Sequence, residues 1–332
     1  MKRTFKTIAQ SLIAATLALN TSMAFAQNWP SKPITLTVPL APGGGGDIAA
    51  RIVAAELSTA LKQTVIVENK AGAGSVIGTQ HVAKLAPDGY NLLLITDFHS
   101  INEAMARENM LPQPLPYDSI KDFAPIAQLV TLQTMLMANP KLGVTDMKSL
   151  VAKAKASKEA ISAGVPGLNT PHNLAFMLLE EMADIEILKV PFQGSGPATL
   201  AMMGDQVNLA FAAIGPALQM KNDGRAVALA VAGNERDPLA PDTPTIAESG
   251  YPDFSVQSWM GIVAPAGTSP EIINRINTEI TQILKKTEVI NKLRNAGLNA
   301  APGTSEEFRQ VILDDIEKIQ NIYKNQLKKK AD

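Results

Sequence analysis

Short apolar runs alternate with amphipathic stretches along most of the chain. Ile34-Thr35-Leu36-Thr37-Val38 alternates apolar residues with threonine and predicts a strand, which the Pro/Gly loop at 39–46 ends. Asp47 is placed to cap a helix running to about Leu61, with Ile48, Ile52 and Leu57 among its apolar positions. Val65–Val67 predicts a second strand, and the glycine-rich loop Gly72–Gly74 leads into a helix carrying His81 and Val82. Asn91–Ile95 follows as a third strand. A β-α-β-α-β order of this kind implies a parallel sheet with helices on both faces.

The pattern restarts after Pro112, Pro114 and Pro116. Two apolar runs, Ile126–Val130 and Met135–Ala138, precede a helix from about Asp146 to Ser157. Ile161–Gly164 leads through a loop to a helix capped by Thr170, with Pro171 at its first position. Ile187–Val190 runs into a second glycine turn at Gly194 and Gly196, and Val207–Phe211 and Val227–Val231 complete a second βα array. Three helical segments fill the stretch from Pro270 to about Leu327. The expected fold is α/β with two lobes, residues 27–125 plus 250–332 forming one and 126–249 the other. A length of 332 residues suits about two domains.

The first residues read as a targeting segment. Lys2, Arg3 and Lys6 precede an apolar run from Ile8 to Leu19, and Ala24-Phe25-Ala26 matches a small-x-small cleavage pattern. A signal peptide over 1–26, cleaved after Ala26, predicts export. The run is too short to span a bilayer. Composition then narrows the function. With 46% hydrophobic and 18% charged residues the chain is globular, and a net charge of −1 offers no footprint for nucleic acid. The absence of cysteine removes disulfides, thiolate metal sites and cysteine nucleophiles together.

Enzyme signatures fail on spacing. Gly43–Gly46 is not completed to G-x-G-x-x-G and lacks a following Gly-Lys-Ser/Thr. Gln193-Gly194-Ser195-Gly196-Pro197 is not a G-x-S-x-G elbow, so a hydrolase built on Ser195 is a minor alternative. His81, His99 and His172 show no metal-binding spacing, and neither a metal nor a cofactor is expected. What remains is a set of anion-ready loops at strand ends: Ala41–Gly46, Thr96–Ser100, Gly164–Thr170 and Val190–Gly196. In open parallel sheets ligands sit beyond the carboxyl ends of strands, against helix N-termini. These loops contain few lysines or arginines, so recognition would rest on amides, hydroxyls and water.

Ordered motifs then point to a family. Trp29-Pro30-Ser31-Lys32-Pro33-Ile34, Val38–Asp47, Val67–Gly74, Pro87-Asp88-Gly89-Tyr90, Val190–Ala198, Trp259, Gly261 and Ala264–Thr268 follow one another along the chain. In this respect the sequence resembles the Bug-type extracytoplasmic solute receptors of tripartite tricarboxylate transporters. The resemblance implies a two-lobed periplasmic binding protein of the Venus-flytrap type that closes on an organic carboxylate and docks on membrane subunits of such a transporter. A ligand-presenting role toward a sensor kinase is the alternative partner, and a monomer is expected. Carried onto this chain, the ligand-binding residues are Ala41, Gly43, Gly44, Gly45, Gly46, Thr96, Phe98 and Ser100 in one lobe. The other lobe offers Gly164, Asn169, Thr170, His172, Gln193, Gly194, Ser195 and Ala212. Many members carry Val-Asp-Leu-Met-Phe-Asp-Asn where this chain has Val207–Ala213; Ala212 replaces an acidic residue there and Phe98 a small polar one. That departure favours a dicarboxylate or aromatic acid over an amino acid.

Overall fold

A computed structural model of the protein describes residues 29–167 and 169–331. The expected leader and its cleavage point lie outside the described residues. The chain forms two sheets. The first has the order β11-β4-β10-β3-β1-β2 and is built from β1 (Ile34–Val38), β2 (Val65–Asn69), β3 (Asn91–Thr96), β4 (Phe123–Leu132), β10 (Ser258–Pro265) and β11 (Asn299–Ala300). The second, β7-β6-β8-β5-β9, uses β5 (Thr134–Ala138), β6 (Ile161–Val165), β7 (Ile187–Pro191), β8 (Leu209–Ala213) and β9 (Val227–Val231).

Each sheet contains three parallel strands, and each of those strands leads into a helix. In the first, β2, β1 and β3 run parallel and lead into α1 (Gly45–Leu61) after β1, α2 (Val76–Ala83) after β2 and α3 (Asp97–Arg107) after β3. In the second, β7, β6 and β8 run parallel; α5 (Pro171–Ala183) follows β6, α6 (Ser195–Met203) follows β7 and α7 (Ile214–Asn222) follows β8. Antiparallel strands complete both: β10 beside β3 and β4, and β5 beside β8 and β9. Both sheets are therefore mixed.

Alternation along the strands sorts the cores, since successive residues face opposite sides. In β8, Leu209 and Phe211 join one cluster with α4 (Met147–Ala156) and α5, while Ala210 and Ala212 join another with α6 and α7. In the first lobe, α1 packs with α8 (Pro270–Ile283) and α9 (Thr287–Asn295) on one face. The other face takes α2 and the start of α10 (Ser305–Ala331).

The chain changes sheet at Gln133, the single residue between β4 and β5, and returns after Val256, whose N–H donates to Ala232 O at 2.9 Å. Boundaries read from sequence at 126 and 250 fall earlier. Pairing of β4 along β10, from Phe123↔Pro265 to Leu132↔Ser258, keeps 126–132 in the first sheet. Phe254, buried in the second core, holds the returning segment longer in the second lobe. The long α10 spans both. Phe308, Ile312 and Ile316 pack in the first lobe, whereas Ile319, Ile322 and Tyr323 meet Ile101 and Ala104 of α3 and Leu174 and Met177 of α5. Asn325 Nδ2 donates to Glu181 Oε1 at 2.7 Å at its far end. None of the described helices is long and apolar enough to cross a membrane.

Candidate functional site

The first lobe presents the loop between β1 and α1. Gly44 is the extended residue before the helix, and the first intrahelical bond runs from Ile48 N–H to Gly44 O at 3.0 Å. The N–H groups of Gly45 and Gly46 precede that ladder and aim beyond the helix start. Ala41, Gly43 and Gly44 are exposed, and Gly43 has φ +82° with open space where a side chain would stand. Gly46 serves packing instead, since a Cβ there would meet Leu40 Cδ1 at 2.7 Å.

Asp47 departs from expectation. It lies inside the first turn of α1, not at the cap, and its carboxylate turns back to accept from Gly43 N–H at 2.9 Å. Arg51 Nε at 3.0 Å and Asn69 Nδ2 at 3.0 Å also donate to it. The Arg51 bond, with those of Gly43 and Asn69, outweighs burial and holds the Asp47 carboxyl down at about 2. The carboxylate fixes the loop from within the lobe.

Thr96–Ser100, read from sequence as a loop, is the opening of α3. Thr96 is its cap, accepting from Phe98 N–H at 3.2 Å. Phe98 is half-buried, whereas Ser100 is wholly enclosed in the helix, so Ser100 does not line an open cleft. Beneath them Asp97 is buried and pushed up to about 7, chiefly by burial and further by Asp315, against bonds from Ser258 and Phe98 N–H.

In the second lobe Thr170 caps α5, accepting from Asn173 N–H at 3.4 Å and donating to Gly167 O at 2.7 Å. His172 lies in the first turn of α5, its ring edge-on to Phe211 at 6.5 Å. Its Nδ1 is buried without a partner among the described residues, and burial lowers its pKa to about 4, so the ring is neutral. Gln193, Ser195 and Gly196 are exposed before and at the start of α6, with Gly194 at φ +112° as the cap. No histidine bonds to Ser195 Oγ among the described residues.

Two expected contacts lie elsewhere. Gly164 is inside β6, where a Cβ would stand 3.1 Å from Ala198 O, so its small size lets α6 approach the sheet. Ala212 is buried with Met135 and Met137. The residue reaching the open end of β8 is Ala213, exposed and capping α7 with no side-chain oxygen. Period-two alternation from buried Ala210 carries that signal in the sequence. The β2–α2 loop was also absent from the expected set, yet a Cβ on Gly74 would stand 3.6 Å from Asn169 Nδ2 of the other lobe. That approach sets the carboxyl ends of the two sheets face to face.

The resulting cleft has a definite polarity. Helices α3 and α5 have their first amides capped by threonines, while α1, α6 and α7 start without a side-chain cap. Uncapped N-termini carry partial positive charge and free donors, and these occur in both lobes. No group of three metal-ligating side chains occurs among the described residues.

Residues 49–327 match a family model described as the tripartite tricarboxylate transporter family receptor. The chain belongs to this family. The receptor is 33% identical over 293 residues to Protein BugT of Bordetella pertussis, covering 88% of this chain and 89% of BugT. Two solved structures from Rhodopseudomonas palustris share its architecture. Rpa4515 with adipate is 28% identical with a TM-score of 0.74, covering 89% of the receptor and 97% of that chain. MatC with bound malate is 28% identical with a TM-score of 0.71, covering 89% and 99%. The receptor thus has the two-lobed α/β fold of the solute-binding proteins that the sequence resembled.

Proposed function

We propose that the receptor is exported to the periplasm, closes its lobes on an organic carboxylate, and delivers it to the membrane subunits of a tripartite tricarboxylate transporter. A dicarboxylate or aromatic acid fits better than an amino acid. The observation that carries this reading is the set of uncapped helix N-termini, α1 in one lobe and α6 and α7 in the other, at the carboxyl ends of parallel strands. Such a site holds a carboxylate by amides without a neighbouring cation. Neither Ala212 nor Ala213 supplies a carboxylate for a ligand ammonium. The adipate and malate bound in the Rpa4515 and MatC structures support an acid ligand.

The test is a thermal-shift screen of the protein lacking residues 1–26 against dicarboxylates, tricarboxylates, aromatic acids and amino acids. A ligand at a hundred times its dissociation constant adds about 2.7 kcal/mol. For a chain of this size that raises the midpoint by roughly 5–10 °C. A shift confined to one class of acid is the expected result. A larger shift with amino acids would reverse the preference, and none with any acid, after refolding to strip carried-over ligand, would remove the receptor reading.

A further inference from the structure

Beside the hinge lies a groove of about 490 Å³, and none of the cleft loops described above lines it. Both segments that cross between the lobes reach it, through Gln133 before β5 and Gln257 before β10. Its walls come from different lobes. Lys285 in the turn between α8 and α9, Arg294 in the last turn of α9 and Asn299 of β11 stand on the first-lobe wall. Glu235 and Arg236, which follow β9, stand on the second-lobe wall. The lobes meet at Asn299, whose Nδ2 donates to Oδ2 of the buried Asp237 at 3.3 Å.

The charges on these walls are unevenly used. Arg236 is satisfied within its own lobe, its Nε donating to Glu248 Oε1 and Oε2 at 3.1 and 3.0 Å and its Nη1 to Pro241 O at 3.0 Å. Lys286, the neighbour of Lys285 in the chain, pairs with Glu56 at 2.7 Å. Lys285 and Arg294 have no ionic partner among the described residues, and neither has Glu235 on the facing wall. Leu284, Ile290 and Pro238 give the same groove apolar contact surface. A plain acid would pair with Lys285 and Arg294 but bring its charge toward Glu235, and a plain amine would meet the converse conflict. A molecule with a carboxylate at one end, an ammonium at the other and methylenes between answers both walls and the apolar lining. The volume lies in the range of small-molecule sites.

We propose that this groove is a second ligand site, which holds an ω-amino acid between the lobes with its carboxylate on Lys285 and Arg294 and its ammonium on Glu235. Spanning both walls, such a ligand favours the lobe arrangement in which it reaches both. Calorimetry on the protein lacking residues 1–26 tests this with ε-aminocaproate, and with caproate and hexylamine, each of which carries one of its two charges. Glu235→Gln weakens ε-aminocaproate by about threefold to fivefold, yet leaves caproate unchanged or bound more tightly. Joint replacement, Lys285→Ala with Arg294→Ala, weakens ε-aminocaproate at least as much and leaves hexylamine unchanged or bound more tightly. The three side chains are exposed, and unliganded thermal midpoints check that each variant is folded. No binding of ε-aminocaproate overturns the proposal, as does a loss from one wall only. Variants that leave its affinity unchanged place it outside the groove, and a Glu235→Gln protein that weakens caproate equally shows no reading of the ammonium; either overturns it. None of these measurements uses the acid bound in the cleft, so their failure leaves the carboxylate-receptor reading standing.

Discussion

The loop before α1 and the loop before α6 offer the same chemistry with different support. Both end a parallel strand, both place a glycine before the helix, and both present amides that no side chain caps. In the first lobe, Asp47 binds Gly43 N–H, Arg51 and Asn69 together, and Asn69 reaches on to Leu40 O at 3.2 Å. In the second, Phe192 N–H donates to Val165 O at 2.8 Å, and Thr199 bonds to Ser195 O within its own helix. Beyond Phe192 the residues are mostly exposed. One lobe thus presents a loop tied down by side-chain bonds, and the other a more exposed loop with fewer such ties. A preformed partner spares ordering entropy on binding, while an adaptable one admits acids of different size.

Cutting the support should show the contrast most strongly. Asp47→Ala releases Gly43 N–H, Asn69 and Arg51, and should cost about 2–3 kcal/mol in chemical denaturation, with acid affinity falling as well. Thr199→Ala, the corresponding cut in the second lobe, should cost less than about 1 kcal/mol. The folded Asp47 carboxyl is held below its ordinary value, so the stability it contributes is present above about pH 4 and lost as pH falls toward 2. The Asp47→Ala variant should lack that acid limb. Equal losses for the two variants would break the comparison.

The lobes also differ in the ionisable group buried at a helix start. Asp97 opens α3 with its pKa raised to about 7, mainly by burial, and His172 lies in the first turn of α5 with its pKa lowered to about 4 by burial. The raised Asp97 favours the fold fully below its unfolded value of 3.8, and that contribution is lost as pH rises through about 7. The depressed His172 favours the fold above 6.5, and its contribution is lost as pH falls through about 4. Between about pH 4 and 6.5 the two slopes oppose each other and the profile should be nearly flat. Asp97→Asn exposes the His172 limb, with stability falling as pH is lowered. His172→Gln exposes the opposite limb, with stability falling as pH is raised. Each slope should approach about 1.4 kcal/mol per pH unit in denaturation midpoints measured from pH 4 to 7. Slopes of the same sign in both variants would contradict the assignment.

Much of this architecture was legible because the pattern repeats: apolar strand, glycine or threonine at the strand end, amphipathic helix. β1, β6 and Thr170 with Pro171 at the start of α5 follow local rules that need no tertiary information. What sequence missed depends on the third dimension. Asp47 looked like a cap because its type suits one, but the helix begins two residues earlier and leaves the carboxylate free to turn back. Ala212 was chosen by motif position, whereas strand alternation puts it inside and Ala213 outside.

The smallest expected effect separates binding from folding. Gly196 is the second residue of α6, and a Cβ there meets no atom within 4 Å. Gly196→Ala should therefore leave stability unchanged or raise it by a few tenths of a kcal/mol, through the reduced freedom of the unfolded chain. The added methyl nevertheless stands at the uncapped helix start, and acid affinity should fall severalfold. Gly44→Ala makes the same change in the first lobe, where the Cβ would have only Ala41 O at 3.7 Å. The Asp47 network prevents that loop from shifting to relieve the crowding, whereas the loop before α6 can move with its ligand. Gly44→Ala should thus weaken binding more than Gly196→Ala, at nearly unchanged stability in both. The reverse order in calorimetric affinities would mean that the exposed loop, not the tethered one, is the ordered half of the clamp.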